Sequence, residues 1–236
     1  MPLFEPFRAL RYAPELDLQA VLAPPYDVLS TDDVTKLAAR DEHNIVHVDV
    51  PAPGGYQRSA DLLRRWITEG VLVCDDRPSL TIYRMSFTDA SGAPRQISGV
   101  LGGLEVVDEG SGGVLAHERT TPRATSDRLD LLRATGVQTS PVWGLSLASG
   151  LTDALSQPGE ALGSVVVDEV RHSVERLTDP DRIRRIRDVI AGDDVLLADG
   201  HHRYSVSRTY RDERRAATGR RDTPAEYTLA FVNELV

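Results

Sequence analysis

Residues 193–210 read Asp193-Asp194-Val195-Leu196-Leu197-Ala198-Asp199-Gly200-His201-His202-Arg203-Tyr204-Ser205-Val206-Ser207-Arg208-Thr209-Tyr210, and their order decides the fold class. Residues 193–198 read as a short buried strand. From Ser205 the chain continues as a polar, Arg-rich helix with Val206 and Tyr210 four apart. Between them lie an acid, a flexible glycine, two imidazoles and a guanidinium. A helix beginning there aims its first N–H groups and the positive end of its dipole at the Gly200 turn, where an anion is favoured.

The same alternation of strand and helix extends in both directions. Upstream, Ala23-Pro24-Pro25-Tyr26-Asp27-Val28 predicts a rigid extended turn, because proline fixes its own φ and biases its predecessor away from helix. Ser30 or Thr31 can cap a helix carrying Val34, Leu37 and Ala38 and ending near His43-Asn44. Residues 45–50 then predict a strand in which valines alternate with His47 and Asp49. Tyr56, Ala60, Leu63 and Ile67 predict a helix closed by Gly70, with Leu62 and Trp66 widening its apolar stripe. Residues 80–87 and 95–107 predict a hairpin joined by Asp89-Ala90-Ser91-Gly92. After the glycines at 110–113, a helix from Ser126 to Gly136, strands at 141–147 and 165–167, and a helix opened by Asp179-Pro180 follow. Residues 227–232 predict a last strand. The class expected is α/β (α+β), with mixed sheets and flanking helices in a single domain over 1–236. A subdivision into two lobes falls at about 1–110 and about 111–236, the second carrying the Asp-Gly-His-His-Arg turn.

With 236 residues and 41% of them hydrophobic, the chain can bury a real core. Its single cysteine, Cys74, excludes an intramolecular disulfide. Residues 1–6 lack the basic region and apolar run of a signal peptide, and no apolar stretch approaches the ~20 residues of a membrane span. These features predict a cytoplasmic protein with no membrane partner. A formal charge of −9 argues against a nucleic-acid partner. The charge is uneven: residues 171–221 hold 13 Arg against 9 Asp or Glu, whereas the rest holds 14 basic against 27 acidic side chains. That segment surrounds the turn and reads either as a solvated basic helix face or as a device steering an anionic small molecule.

Three polar clusters fall at predicted turns or element ends: Tyr26-Asp27, His117-Glu118-Arg119-Thr120, and Asp199 to Arg203. Asp27 has an ordinary reading as a turn cap, and Glu118 as an ion-pair partner of Arg119 or Arg123. The adjacent histidines of the third cluster lack the Cys or carboxylate pattern that completes a zinc set. Cys74 beside Asp75 and Asp76 is a poor nucleophile, and no Gly-x-Ser-x-Gly elbow occurs. Phosphate chemistry suits the cluster better. Gly200 allows close backbone approach, Arg203 can grip phosphate oxygens bidentately, and His201 or His202 can donate to them. Asp199 could hold Mg²⁺, and Glu118 could take the proton of a substrate hydroxyl. The chain has no P-loop, no Gly-x-Gly-x-x-Gly and no protein-kinase motifs, so neither a P-loop enzyme nor a protein-kinase fold is implied.

Taken together, Pro24-Pro25-Tyr26-Asp27-Val28, Asn44-Ile45-Val46-His47, His117-Glu118-x-Thr120 with Asp127-Arg128-Leu129, Ser140-Pro141, and Asp199 to Tyr204 stand in a familiar order. They resemble a widespread bacterial and archaeal family long classed as of unknown function, and the likeness covers nearly the entire chain. The Asp-Gly-His-His-Arg signature also resembles that of free-serine kinases built on the ParB/sulfiredoxin-like fold. The resemblance implies an ATP- and Mg²⁺-dependent kinase that phosphorylates free L-serine. In that scheme Gly200, His201, His202 and Arg203 hold nucleotide phosphates, Asp199 holds the metal, and Glu118, Asp199 and His202 form the catalytic set. Tyr26, Asp27, His47, His117, Thr120 and Arg128 are the residues it assigns to substrate. Family members are longer, so the chain is expected to lack a C-terminal portion.

Two other functions stay open on this sequence. A non-catalytic nucleotide-binding module would keep the phosphate turn as a sensor or regulatory switch. DNA binding of the ParB type is disfavoured by the negative charge and by the lack of a convincing helix-turn-helix. The partners expected are a nucleotide and a small hydroxyl-bearing substrate, and self-association into a homo-oligomer is allowed.

Overall fold

In the computed structural model, which describes residues 1–116 and 122–235, local sequence signals account for most elements. The strands in chain order are β1 (Phe4–Glu5), β2 (Leu10–Tyr12), β3 (Leu72–Cys74), β4 (Leu80–Thr88), β5 (Pro94–Glu105), β6 (Val114–Leu115), β7 (Val142–Ser146), β8 (Glu160–Val167), β9 (Val170–Leu177), β10 (Val195–Asp199) and β11 (Tyr227–Glu234). The α-helices are α1 (Leu18–Val21), α2 (Thr31–Arg40), α3 (Val46–Asp49), α4 (Tyr56–Thr68), α5 (Pro122–Thr135), α6 (Leu151–Ala154), α7 (Pro180–Ile190) and α8 (His201–Thr218). Caps explain several starts. Ser30 and Asp33 form a reciprocal capping box on α2, and the Asp179 carboxylate accepts from the N–H groups of Asp181 and Arg182 with Pro180 at the head of α7.

The chain divides into two compact units. Unit 1 takes residues 1–8, 77–129 and 141–236, and unit 2 takes residues 9–76 and 130–140. In unit 1, nine strands form one mixed sheet among the described residues, in the order β6-β10-β7-β11-β5-β4-β9-β8 with β1 on β5. The β6–β10 and β7–β11 pairs are parallel and the remaining pairs antiparallel. Period-2 alternation sends Leu80, Ile82, Val100, Leu104, Val142, Ala230 and Val232 into one core. There they meet Leu151 and Leu155 at α6, Ile183, Ile186 and Ile190 of α7, and Tyr204 of α8. Arg84 also enters this side, where its guanidinium donates to Glu175 Oε1 at 3.0 Å, Ser98 Oγ at 3.0 Å and the Leu155 carbonyl at 2.8 Å. The odd positions of the same strands carry a row of rings: Trp143, Phe231 and Tyr83. Phe231 lies over Gly99, where a Cβ would come within 2.3 Å of the ring.

Unit 2 has its own core of Val48, Leu63, Trp66 and Leu72, joined by Tyr12, Ile45, Leu62, Val71 and Val137. The Trp66 stripe of α4 is therefore core, as its helical spacing indicates. The β2–β3 pair forms a second, two-stranded sheet.

Five expectations need correction or extension. Residues 45–50 are not a strand: Val46–Asp49 form the short helix α3. The reason lies one residue earlier, where buried Asn44 accepts from the Val46 N–H and donates to the carbonyls of Ala20 and Leu22. These ties of the Asn44 side chain, two of them to residues more than twenty positions earlier, override the β-branched alternation. Helix α2 ends at Arg40 rather than near His43, and α5 begins at Pro122 rather than Ser126. The strand expected at 165–167 is one arm of a β8–β9 hairpin whose turn places Asp168 and Glu169 at φ 49° and 65°. No glycine marks those two turn positions. Residues 24–28 do open with an extended Pro25, but Tyr26–Val28 close into a single 3₁₀ turn.

Candidate functional site

Strand β10 delivers the Asp-Gly-His-His-Arg turn. Val195 and Leu197 are fully buried, and strict alternation would send Asp199 into the same core. The register instead shifts between Leu197 and Asp199, so that Asp199 lies opposite Trp143 of β7. Such a bulge re-aims the side chain that follows it, and the Asp199 side chain is 60% exposed. Gly200 then takes φ 85°, a left-handed conformation that an L side chain resists, and α8 begins at the next residue. As the N-cap residue Gly200 supplies no side-chain acceptor to the first turn of this 18-residue helix.

Arg203 closes the turn from inside the helix. Its guanidinium donates to Asp199 Oδ2 at 2.5 Å, across one helical turn, and to the carbonyl of Pro141. The head group is thereby held on the β7 side of the helix start. His201 is buried and His202 half-buried. Tyr204, one residue on, fixes the helix to the sheet: its hydroxyl donates to the Glu105 carbonyl at 3.1 Å and accepts from the Val107 N–H at 2.9 Å. Further along, Ser207 and Thr228 share a hydroxyl contact at 2.9 Å, and buried Arg211 donates to the Val106 carbonyl at 2.5 Å.

Burial pushes the Tyr204 hydroxyl up to about 12, and burial together with the Asp41 charge raises Tyr12 as well. A raised pKa in the folded state stabilises below the ordinary value of 10.0 and is lost as pH climbs toward about 12. Thermal unfolding followed between pH 9 and 11 is expected to show an alkaline loss on the order of 1 kcal/mol from Tyr204 at pH 11. Tyr204→Phe should flatten that loss while lowering stability at neutral pH, since the Val107 N–H then lacks its acceptor.

The arginines around the turn are largely answered by acids from elsewhere in the chain. Glu160 meets Arg176 at 2.9 Å and Glu109 meets Arg208 at 3.3 Å, while Glu5 pairs with Arg187, Asp108 with Arg211 and Glu226 with Arg215. The local positive excess is thus spread into ion pairs, which favours the solvated, paired face over long-range steering.

The remaining sequence-derived residues are placed as follows. Arg128 lies in α5, among the residues of that helix assigned to unit 1, with its guanidinium on Asp127 at 2.9 Å. Tyr26, Asp27 and His47 belong to unit 2. Tyr26 is half-buried and Asp27 exposed in the 3₁₀ turn, and His47 Nε2 lies 3.2 Å from the Ala38 carbonyl. His117, Glu118 and Thr120 lie outside the described residues. β6 runs parallel to β10, so the chain leaves Leu115 at the same end of the sheet at which β10 delivers Asp199. Among the described residues no group of three or more His, Cys, Asp or Glu is arranged to hold a metal. At the turn Asp199 offers an exposed hard carboxylate, of the kind that suits Mg²⁺ when phosphate oxygens and water complete the shell.

Over residues 4–235 the chain matches the model of a family described as a protein of unknown function, DUF1015. The chain belongs to the DUF1015 family. Comparison with curated proteins and with solved structures finds no match. What DUF1015 membership means chemically must therefore come from the residues of the turn. Among the described residues no helix is long and apolar enough to cross a membrane. Two features of the site have no reading in the sequence: the anchoring role of the Pro141 carbonyl, although Ser140-Pro141 is itself one of the motifs, and Trp143. The odd position of Trp143 in a strand whose even positions are buried was the signal available for it.

Proposed function

We propose that this protein binds the phosphates of ATP at the Asp199–Arg203 turn and transfers the terminal phosphoryl group to the hydroxyl of free L-serine, giving O-phosphoserine and ADP. The observation that carries the reading is the bulge-and-glycine junction. It brings an exposed carboxylate, a left-handed glycine and a positioned guanidinium to the start of a long helix. Asp199 would hold Mg²⁺, which neutralises phosphate charge when bound, while Gly200, His201, His202 and Arg203 receive the phosphates. The serine oxygen attacks the terminal phosphorus, the bond from that phosphorus to the bridging oxygen of ADP breaks, and Glu118 takes the hydroxyl proton. Positioning and charge neutralisation then supply most of the rate. The strand-turn-helix in a mixed sheet fits a ParB/sulfiredoxin-like core, and a cytoplasmic address would supply ATP.

Incubation with Mg-ATP and L-serine is the direct test, read by mass spectrometry for O-phosphoserine. Product that disappears in Glu118→Ala supports the kinase. Nucleotide consumption with a different small hydroxyl compound would reject serine and keep the reaction class. Binding of ATP without turnover of any acceptor would favour the non-catalytic module.

A further inference from the structure

We propose that Trp143 is the surface on which the base of the bound nucleotide stacks, an inference that rests on the nucleotide reading of the Asp199–Arg203 turn. Trp143 is 40% exposed, whereas the neighbouring Phe231 is only 7% exposed. Exposure alone would mean little, because single apolar residues on a surface are common. The setting of this ring is more specific. Its Nε1–H donates to Asn233 Oδ1 at 2.6 Å, and Asn233 in turn donates to the Glu234 carbonyl at 3.0 Å. Phe231 packs against it with centroids 6.2 Å apart at 49°, and Phe231 is itself held by Tyr83 and by the space left at Gly99. The indole is thus a fixed plate.

That plate has one kind of recognition left to offer. Tryptophan carries a single hydrogen-bond donor and no acceptor, and here the donor is used. What remains is the ring system itself, which suits a flat aromatic or cationic ligand rather than an anionic or hydroxylated one. Its location specifies which flat ligand. Trp143 is the cross-strand partner of Asp199, and it stands two residues after Pro141, whose carbonyl anchors Arg203. Facing residues in an antiparallel pair project to the same side with Cβ atoms about 5 Å apart. A molecule with phosphates at the turn and a base on this side of the sheet joins both features. Because every base has a π-face, stacking of this kind predicts little discrimination between adenine and guanine.

Calorimetric titration of the full chain with Mg-ATP, Mg-GTP and magnesium tripolyphosphate tests this. Wild-type protein should bind ATP and GTP within a few-fold of each other and both more tightly than tripolyphosphate. Trp143→Ala should weaken ATP roughly tenfold, toward the tripolyphosphate value, and leave tripolyphosphate within about twofold. Trp143→Phe, which keeps a ring and guards against misfolding, should retain most of the ATP affinity. Equal loss for ATP and tripolyphosphate in Trp143→Ala would mark a structural role and overturn the inference. Unchanged ATP affinity would overturn it too, with the nucleotide reading of the turn intact. Failure of wild-type protein to bind any of the three would remove that reading and the stacking surface with it.

Discussion

Arg203→Ala is expected to weaken binding of both Mg-ATP and tripolyphosphate by roughly 100-fold or more, with the fold retained. Truncating one partner of a hydrogen-bonded charge pair costs about 2–5 kcal/mol, and 1.4 kcal/mol is a factor of ten. The guanidinium here is 12% exposed and tied to Asp199 and Pro141, so it reaches a phosphate without first being ordered. Retention of the fold follows from what holds α8 elsewhere: the two hydrogen bonds of the Tyr204 hydroxyl, the Ser207–Thr228 contact and Arg211 on the Val106 carbonyl. Arg203→Lys keeps the charge but not the planar fork, and should recover only part of the affinity. Calorimetry with both ligands, beside thermal unfolding of each variant, reads the result. Wild-type affinity in Arg203→Ala would place the phosphates somewhere other than this turn.

How far this site could be read from sequence depends on which interactions are local. The strand before Asp199 and the helix after Gly200 are written in an apolar run, a glycine and a helical spacing, and both form. Most of the hairpin and helix signals around them do likewise, because caps and turn residues act within a few positions. The failures have long-range or unmarked causes. The valine alternation at 45–50 was outvoted by Asn44, whose side chain ties back to Ala20 and Leu22 more than twenty residues earlier. Arg84 reads as a polar interruption of a strand, yet it is buried on the core side by Glu175 and a loop carbonyl near residue 155. Burial alone would raise the Glu175 carboxyl, but Arg84 and the Gly159 N–H hold it below its ordinary value. Nor does any residue type announce the bulge at 197–199, although it alone keeps Asp199 out of the core. The sequence names the chemical groups of the turn, while their common side of the sheet is a product of register.

Gly200→Val is the sharper test of that register, and its expected cost is about 3 kcal/mol together with loss of nucleotide binding. Two effects add. A left-handed φ costs an L-residue roughly 1–2 kcal/mol, and overpacking against fixed neighbours adds about 1–3 kcal/mol. A Cβ at Gly200 would come 3.1 Å from the Val142 Cα and 3.2 Å from its Cγ1. Val142 lies in β7, clamped between β10 and β11, so relief must come from the helix start moving away. That motion would pull Arg203 off the Pro141 carbonyl and separate the phosphate turn from Trp143. Gly219→Ala supplies the comparison, since Gly219 has φ 69° but nothing within 4 Å of its would-be Cβ. Urea unfolding should rank Gly219→Ala as mildest, at about 1 kcal/mol, then Gly200→Ala, then Gly200→Val. Ligand affinity should fall only in the two Gly200 variants. If Gly200→Ala proved no worse than Gly219→Ala and bound ATP normally, the close approach to β7 would be incidental. The anion would then have to be held by side chains alone, without the backbone that the left-handed glycine brings forward.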